Sequence, residues 1–455
     1  MTDSEAGQNR RTVLKGVSAT MITGAFAGCL GGGSGDGGSG DGGSGDGGSS
    51  NGGNEPMTFW TTNVEQDRQD VLSGLIESYE SDADGTVEMI PVEEGDLPTQ
   101  ISSARASGTL PALGEWGLDP MQNLGNEDLL STESAEAVVE SIGRDDFYEG
   151  ALSLATSPDG DLLAVPAHGW VQGFWYRQSA FDEAGLSAPT SWDAILEAAE
   201  TLHDPDNDEY GIVVGSDETP FARQCFTPYA RSNGARVFNT DGEIVFDSPE
   251  MVEALDFYGS LAQYSPPGAD TFETANNTYL NGQCHMIMYS SYIMGDISSN
   301  ADGLAANTSF APYIERERRS SFGQLVLFNV LSSASDADRE TAEAFIEHVL
   351  SGDQYVDFLH MAPGGMNPVL GSTAESEAYR DNETLQEWGQ ETLADISGAF
   401  DNIERFGYVD GQMIPEFGEI TNRSLVAQAV RRVSEGEDAQ TVADDVATQM
   451  RDVIS

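Results

Sequence analysis

The chain has 455 residues, with 77 acidic against 20 basic side chains, a net charge of −57 and 39% hydrophobic residues. That length leaves room for two α/β lobes and a large core. The charge rules against nucleic acid as a partner, because phosphate binding needs the opposite sign, and argues against docking on an anionic membrane surface. Lys15 is the only lysine. Self-repulsion of this size destabilises a fold in dilute salt, whereas at molar salt the Debye length falls to about 3 Å. The near-total loss of lysine fits adaptation to high salt, as in a haloarchaeon, better than an ordinary acidic chain.

The first residues read as an address rather than as structure. Asn9-Arg10-Arg11-Thr12-Val13-Leu14-Lys15 matches the twin-arginine export pattern, and a mild apolar run covers 17–27. It is too short and too rich in small residues to span a membrane permanently. Ala25-Phe26-Ala27-Gly28-Cys29 resembles a lipoprotein cleavage box, with Phe26 where Leu is usual. Residues 1–28 are therefore expected to be a signal peptide and Cys29 the lipidated first residue; plain cleavage leaving a free Cys29 is the alternative. Residues 29–54 repeat Gly, Ser and Asp and form a flexible tether, whose root-mean-square reach is roughly 25–30 Å. The repeats lack the apolar residue that a calcium roll needs for its core.

From Pro56 onward the pattern alternates. Residues 57–60 predict a strand and 67–79 a helix with Val71, Leu72, Leu75 and Ile76 inward. Residues 85–92 predict a second strand, 97–106 a helix ended by Gly108, and 109–116 a third strand. Such alternation implies a parallel sheet covered on both faces. Residues 162–176 read as extended. A helical turn at 179–184 closes on Gly185, and Thr190 or Ser191 caps a helix with Ile195, Leu196, Ala199 and Leu202 on one stripe. Ile212-Val213-Val214 predicts a strand, and 221–232 and 249–261 predict helices. A strand over 283–289, extended segments at 310–312 and 320–331, a helix over 336–350 and a Gly/Pro turn at 361–368 follow. The chain closes on two amphipathic helices within 425–454, split by Gly436.

The run WYRQSAFDEAGLSAPTSWDAILEAAETL, residues 175–202, and the run YLNGQCHMIMYSSYIMGDI, residues 279–297, closely resemble extracellular solute-binding proteins of the sugar-binding type, the family that includes maltose-binding protein. The resemblance spans about residues 56–455. One departure is Ala112, where the family usually has Asp. It implies a periplasmic-binding-protein-like α/β fold, with two lobes joined by a hinge of several crossings and a ligand cleft between them. The implied division is 55–165 plus about 290–335 for the first lobe, and 166–289 plus about 336–455 for the second. It also implies a lipid-anchored, monomeric protein on the outer cell face that hands a sugar to the permease subunits of an ATP-binding-cassette importer, without cofactor or metal.

Trp60 and Trp116 end strands one and three, where ligands sit in open α/β sheets. Matched segment by segment, the resemblance places Asn63 and Glu65 on the family's first polar binding loop, and Trp116 and Asp119 on its aromatic and carboxylate after strand three. Trp170 falls in the crossing strand, and Arg223 and Gln224 fall near second-lobe contacts. Tyr292 falls on a stacking position where the family often has Trp. Phe322, Gly323 and Phe417 are weaker matches. Aromatic faces cover the C–H side of a sugar while carboxylates and amides take its hydroxyls. Core packing is the default for a lone aromatic, and Trp175 and Trp192 are assigned to it.

Catalysis finds little support. Among 77 carboxylates no acid/base pair stands out, and the five histidines show no metal-ligand spacing. His168 lies in the cleft strand and reads as a hydrogen-bonded structural residue. Residues 204–211 carry acids at positions one, three and five of a calcium loop but lack its Gly and its closing Glu, so an acidic turn is the better reading. Cys225 and Cys284 form either a disulfide or two buried thiols. Two other function classes stay open at this point: a secreted glycoside-acting enzyme, and a surface lipoprotein without a transport partner. A polyol or glycerol-phosphate ligand would use the same cleft.

The charge balance generates the first prediction. Circular dichroism of residues 55–455 should show cooperative structure in multimolar KCl and its loss in dilute buffer. An unchanged spectrum across that range would remove the high-salt reading.

Overall fold

The computed structural model describes residues 55–268, 270–300, 303–409 and 412–455. The expected signal peptide, the lipidation at Cys29 and the tether lie outside the described residues. Among the described residues no helix is long and apolar enough to cross a membrane.

The chain opens with β1 (Met57–Thr61), α1 (Gln66–Asp82), β2 (Val87–Pro91), α2 (Leu97–Ser107) and β3 (Leu113–Gly117). β1 pairs in parallel with β2 and with β3, as expected from the alternation of strand and helix. α2 stops at Gly108, whose φ of +70° turns the chain out of the helix. Three helices that the periodicity did not reveal follow, α3 (Leu118–Gly125), α4 (Thr132–Ile142) and α5 (Glu149–Leu154).

β4 (Val165–Arg177) is the long crossing strand. It leads into α6 (Gln178–Ala184) and α7 (Trp192–Thr201). Ser191 caps α7 by accepting from the Ala194 N–H at 3.3 Å, and Asp193 sits in the first turn, where the dipole favours it. α8 (Pro220–Ser232), α9 (Pro249–Leu261), α10 (Phe272–Leu280), β5 (Met286–Ser290), α11 (Ile293–Asn300) and β6 (Thr308–Ala311) build the second lobe. A short hairpin, β7 (Ile314–Glu315) and β8 (Arg319–Ser320), precedes β9 (Phe322–Val330). Then come α12 (Asp336–Val349), α13 (Gly352–Leu359), four short helices α14 (Gly371–Glu375), α15 (Glu377–Arg380), α16 (Glu383–Glu387) and α17 (Gln390–Ala399), and a small pair β10 (Tyr408–Val409) and β11 (Gln412–Met413). α18 (Phe417–Asn422), α19 (Leu425–Ser434) and α20 (Ala439–Ile454) close the chain, with Gly436 at φ +91° between the last two.

One sheet runs β2-β1-β3-β9-β4-β5, with β6 also on β4. The first part of β4 pairs antiparallel with β9, and its last residues pair with β5 and β6. The strand thus starts in one lobe's sheet and ends in the other's.

The strand pairing also locates the later segments. β6 lies on the second-lobe end of β4, so the segment after residue 290 stays in the second lobe. β9 pairs with β3 and carries the chain back to the first lobe. α12 then covers that lobe's sheet, with Phe345 edge-on to Phe59 at 5.6 Å and to Tyr79 at 5.5 Å. α19 and α20 pack on α8 and α9, as the second lobe requires. One correction concerns Ile212–Val214, expected as a strand. It meets β5 only at Val213 with Ile287, because the Gly211 N–H goes to Tyr264 O and the Val214 N–H to Ser265 Oγ. Of the two readings for the cysteines, the structure shows free thiols: Cys225 and Cys284 are buried, each turned toward a β5 carbonyl.

The second lobe also buries two carboxyl groups, Asp217 and Asp270. The Asp270 N–H bonds Ser216 Oγ at 2.9 Å and the Ser216 N–H bonds Asp270 O at 3.1 Å, which ties their loops together. Burial pushes the Asp270 carboxyl up to about 7, against a hydrogen bond from Ser265 and with a further push from Asp217. The folded pKa lies above the ordinary value of 3.8, so the stabilisation is complete below that value and is lost as pH rises through 7. Urea unfolding of Asp270→Asn against the parent should therefore favour the variant more at pH 8 than at pH 4, by roughly a few kcal/mol. Equal differences at both pH values would mean that Asp270 titrates normally.

Candidate ligand-binding cleft

A cleft of about 700 Å³ opens where both lobes meet the crossing strands. The first lobe supplies the loop after β1, the loop after β2 and the β3–α3 junction. The second supplies Pro220 and Gln224 of α8, and Tyr292 just past β5. The floor comes from β4 and β9, where the cross-strand pairs Trp170–Gln324 and His168–Val326 present all four side chains.

The first wall is organised by Glu115, which is fully buried on β3. Its carboxylate accepts from Thr61 Oγ1 at 2.5 Å and from Asn63 Nδ2 at 2.9 and 3.0 Å. His168 Nε2 stands 3.7 Å away. These hydrogen bonds satisfy a buried polar group that would otherwise be costly, and they fix the Asn63 amide at the cleft edge. Arg68 reaches Asn63 Oδ1 at 3.5 Å and pairs with Glu65 at 3.5 Å.

The aromatics stand on the second wall, Tyr292, and on the floor, Trp170. Tyr292 lies over Gly365, where an added Cβ would stand 2.2 Å from the ring, so glycine is required there. Burial pushes the Tyr292 phenol up to about 12, against the nearby Arg68, so it stays a neutral donor. Trp170 is half-buried, with Phe322 behind it at 5.8 Å between ring centroids.

Arg405 bonds Gln324 Oε1 at 2.6 Å and Asp119 Oδ1 at 3.2 Å, and so clamps the floor to the α3 end of the cleft. Burial lowers the Arg223 guanidinium to about 10, with Asp119 opposing and Arg405 reinforcing that shift, so Arg223 remains a cation at neutral pH. The cleft lining carries Glu65, Glu93, Glu94 and Asp119 beside Arg68 and His168, and of these carboxylates Glu65 pairs with Arg68 and Asp119 with Arg405.

Six of the residues expected at the site, Asn63, Glu65, Asp119, Trp170, Gln224 and Tyr292, line this cleft together. The others do not. Trp116 is wholly buried and folds over Gly114, where an added Cβ would stand 2.1 Å from its ring. Trp60 packs against the hydrophobic core. Phe322 is buried between Trp170 and Arg405, and Gly323 gives its carbonyl to Arg405 at 2.9 Å. Arg223 lines an adjoining recess, and its guanidinium lies 5.8 Å from the centre of the buried Phe417 ring.

Sequence reasoning passed over Arg68, Glu93, Glu94 and Gln324 and kept His168 as structural. The two-residue period of a strand carries Phe322 to Gln324 and Val326 on one face, which is the signal that could have found Gln324. Nothing local in the sequence sets apart the two glutamates of the loop after β2.

The fold and cleft define a two-lobed binding protein, and comparison with known proteins agrees. Residues 74–387 match the family described as bacterial extracellular solute-binding protein. The Escherichia coli (strain K12) protein YcjN, named as an ABC transporter periplasmic-binding protein, is 31% identical over 387 residues, 84% of this chain and 89% of its own. The mannitol-binding protein of Pseudomonas aeruginosa is 28% identical over 277 residues, 58% of this chain and 63% of its own. A solute-binding protein of Agrobacterium radiobacter K84, solved with ribitol, shares the fold with a TM-score of 0.71 at 18% identity, covering 88% of this chain and all of that one. The chain belongs to the extracellular solute-binding protein family.

Replacing Glu115 by Ala should leave the Asn63 amide and the Thr61 hydroxyl without their acceptor. We expect a loss of roughly 1–3 kcal/mol or more in urea unfolding. Unchanged stability would show that the Glu115 hydrogen bonds carry no net energy.

Proposed function

We propose that the chain captures a neutral polyhydroxylated ligand, a sugar or a polyol, in this cleft and delivers it to the permease of an ATP-binding-cassette importer. One observation carries the reading: two aromatic faces, Trp170 and Tyr292, share a cleft with carboxylates and amides suited to hydroxyl groups, Asn63, Glu65, Asp119, Gln224 and Gln324. The acidic rim disfavours an anionic ligand. The named ligands of the relatives, mannitol and ribitol among them, support the same chemical class.

In this reading the protein is not an enzyme and acts as a monomer. The twin-arginine and lipoprotein patterns would place it on the outer cell face, held by a lipid on Cys29. Ligand drives closure only as far as it binds the closed form better than the open one.

Tryptophan fluorescence in multimolar KCl, titrated with mannitol, ribitol, maltose and glucose, tests the proposal. A saturable change is expected with at least one compound, with recovery of the compound unaltered. Trp170→Ala should weaken it at least tenfold, which corresponds to about 1.4 kcal/mol. Turnover of a glycoside in place of stoichiometric binding would overturn the reading in favour of an enzyme.

A further inference from the structure

Four triplets of the form Asn-x-Ser/Thr, the acceptor pattern for an N-linked sugar, begin at Asn276, Asn307, Asn382 and Asn422. The pattern is short and arises by chance, so the sequence does not rank the four. Their surroundings in the fold do.

Three of the four amides are committed to the fold, and all three residues are partly buried. Asn276 donates from Nδ2, the atom a sugar would bond, to Asp296 Oδ2 at 2.8 Å, and its Oδ1 is buried. Asn307 Oδ1 accepts from the Ser179 N–H at 2.9 Å, and the hydroxyl of the same triplet, Ser309 Oγ, donates to Gln178 Oε1 at 2.8 Å. Asn382 caps α16, its Oδ1 accepting from the N–H groups of Thr384 at 3.0 Å and Leu385 at 3.4 Å. A transferase has to draw the amide into its own site, which at these positions breaks those bonds.

Asn422 differs. It is exposed, it is the last residue of α18, and no hydrogen bond holds its amide among the described residues. Two residues on, Ser424 has a φ of +52°, which ends the helix and turns the chain into α19. The triplet Asn422-Arg423-Ser424 therefore stands on a surface turn between two helices. Asn422 is absent from the lining of the ligand cleft.

We propose that Asn422 is a modification site that carries an N-linked sugar. The proposal rests on the reading that the chain is exported to the outer cell face. The twin-arginine route carries chains that have already folded, so a transferase outside meets the native surface and only an amide exposed there is available. In the transfer, Asn422 Nδ2 bonds to the anomeric carbon of a sugar held on a membrane lipid through phosphate. The bond from that carbon to the phosphate oxygen breaks, its electron pair leaves on the lipid phosphate, and one Nδ2 proton passes to solvent. The product adds uncharged, hydrated bulk at the turn and leaves the cleft as it was.

Mass spectrometry of tryptic peptides from the full chain, recovered from the membrane fraction of its own host cells, tests this. Cleavage after arginine puts Asn422 alone in peptide 406–423, Asn382 in 381–405, and Asn276 with Asn307 in 237–316. Peptide 406–423 should be heavier than its sequence by a whole number of sugar residues, and the other two should have their sequence masses. Asn422→Gln and Ser424→Ala should each abolish the added mass while the protein keeps its circular dichroism and the fluorescence response of the cleft. Exported protein, with its leader removed, whose peptide 406–423 has the bare sequence mass would overturn the proposal and leave the export reading standing. Sugar on Asn276, Asn307 or Asn382 instead would overturn the argument from exposure. Protein found only in the cytoplasm with its leader uncut would overturn the export reading, and this proposal with it.

Discussion

The pairing of β4 with β9 is the constraint on which the rest depends. Both strands are buried along most of their length, and backbone groups in such a place must be hydrogen-bonded. β9 satisfies β4 over 165–172 and turns its other edge to β3. β5 and β6 then take over the end of β4. The two lobes are therefore joined by continuous ladders rather than by loose linkers. The same pairing lays the floor of the cleft, so a ligand resting on Trp170 and Gln324 touches strands that serve both lobes.

Charge is the second organising influence. The acidic residues lie mostly outside, where water and salt screen them; Glu115, Asp217 and Asp270 are buried, and Glu115 sits among polar partners. Thr61, Asn63 and His168 surround it. The few arginines are placed with economy. Arg223, Arg231 and Arg405 are buried where the lobes and the closing segment meet, each beside a carboxylate or an aromatic ring. The molecule thus has an acidic rim around the cleft, with Arg405 tying the cleft floor at Gln324 to Asp119.

Local patterns in the sequence determined a good part of this protein. The helix α7 with its Ser191 cap, the Gly108 and Gly185 stops, the parallel pairing of β1 with β2 and β3, and the two closing helices all follow from periodicity, capping and glycine, which act over a few residues. So did the assignment of Trp175 and Trp192 to the core, since both are buried. The short helices α14, α15 and α16 escaped, because elements of four or five residues carry too few apolar positions to show a period.

Only the tertiary structure decided which strands the late segments pair with and which aromatics face the cleft. Trp116 and Trp170 are both strand tryptophans, yet one is sealed over Gly114 and the other is open to the cleft. What separates them is their place in the assembled sheet: Trp116 folds back over Gly114 of its own strand and is sealed in the core, whereas Trp170 pairs across to Gln324 of β9 on the cleft floor. Likewise Arg231, Arg318 and Glu404 are far apart in sequence and converge only through the packing of α8, the β7–β8 hairpin and the segment before β10. Side-chain chemistry is written locally, whereas burial and convergence depend on contacts between residues distant along the chain, which no local pattern encodes.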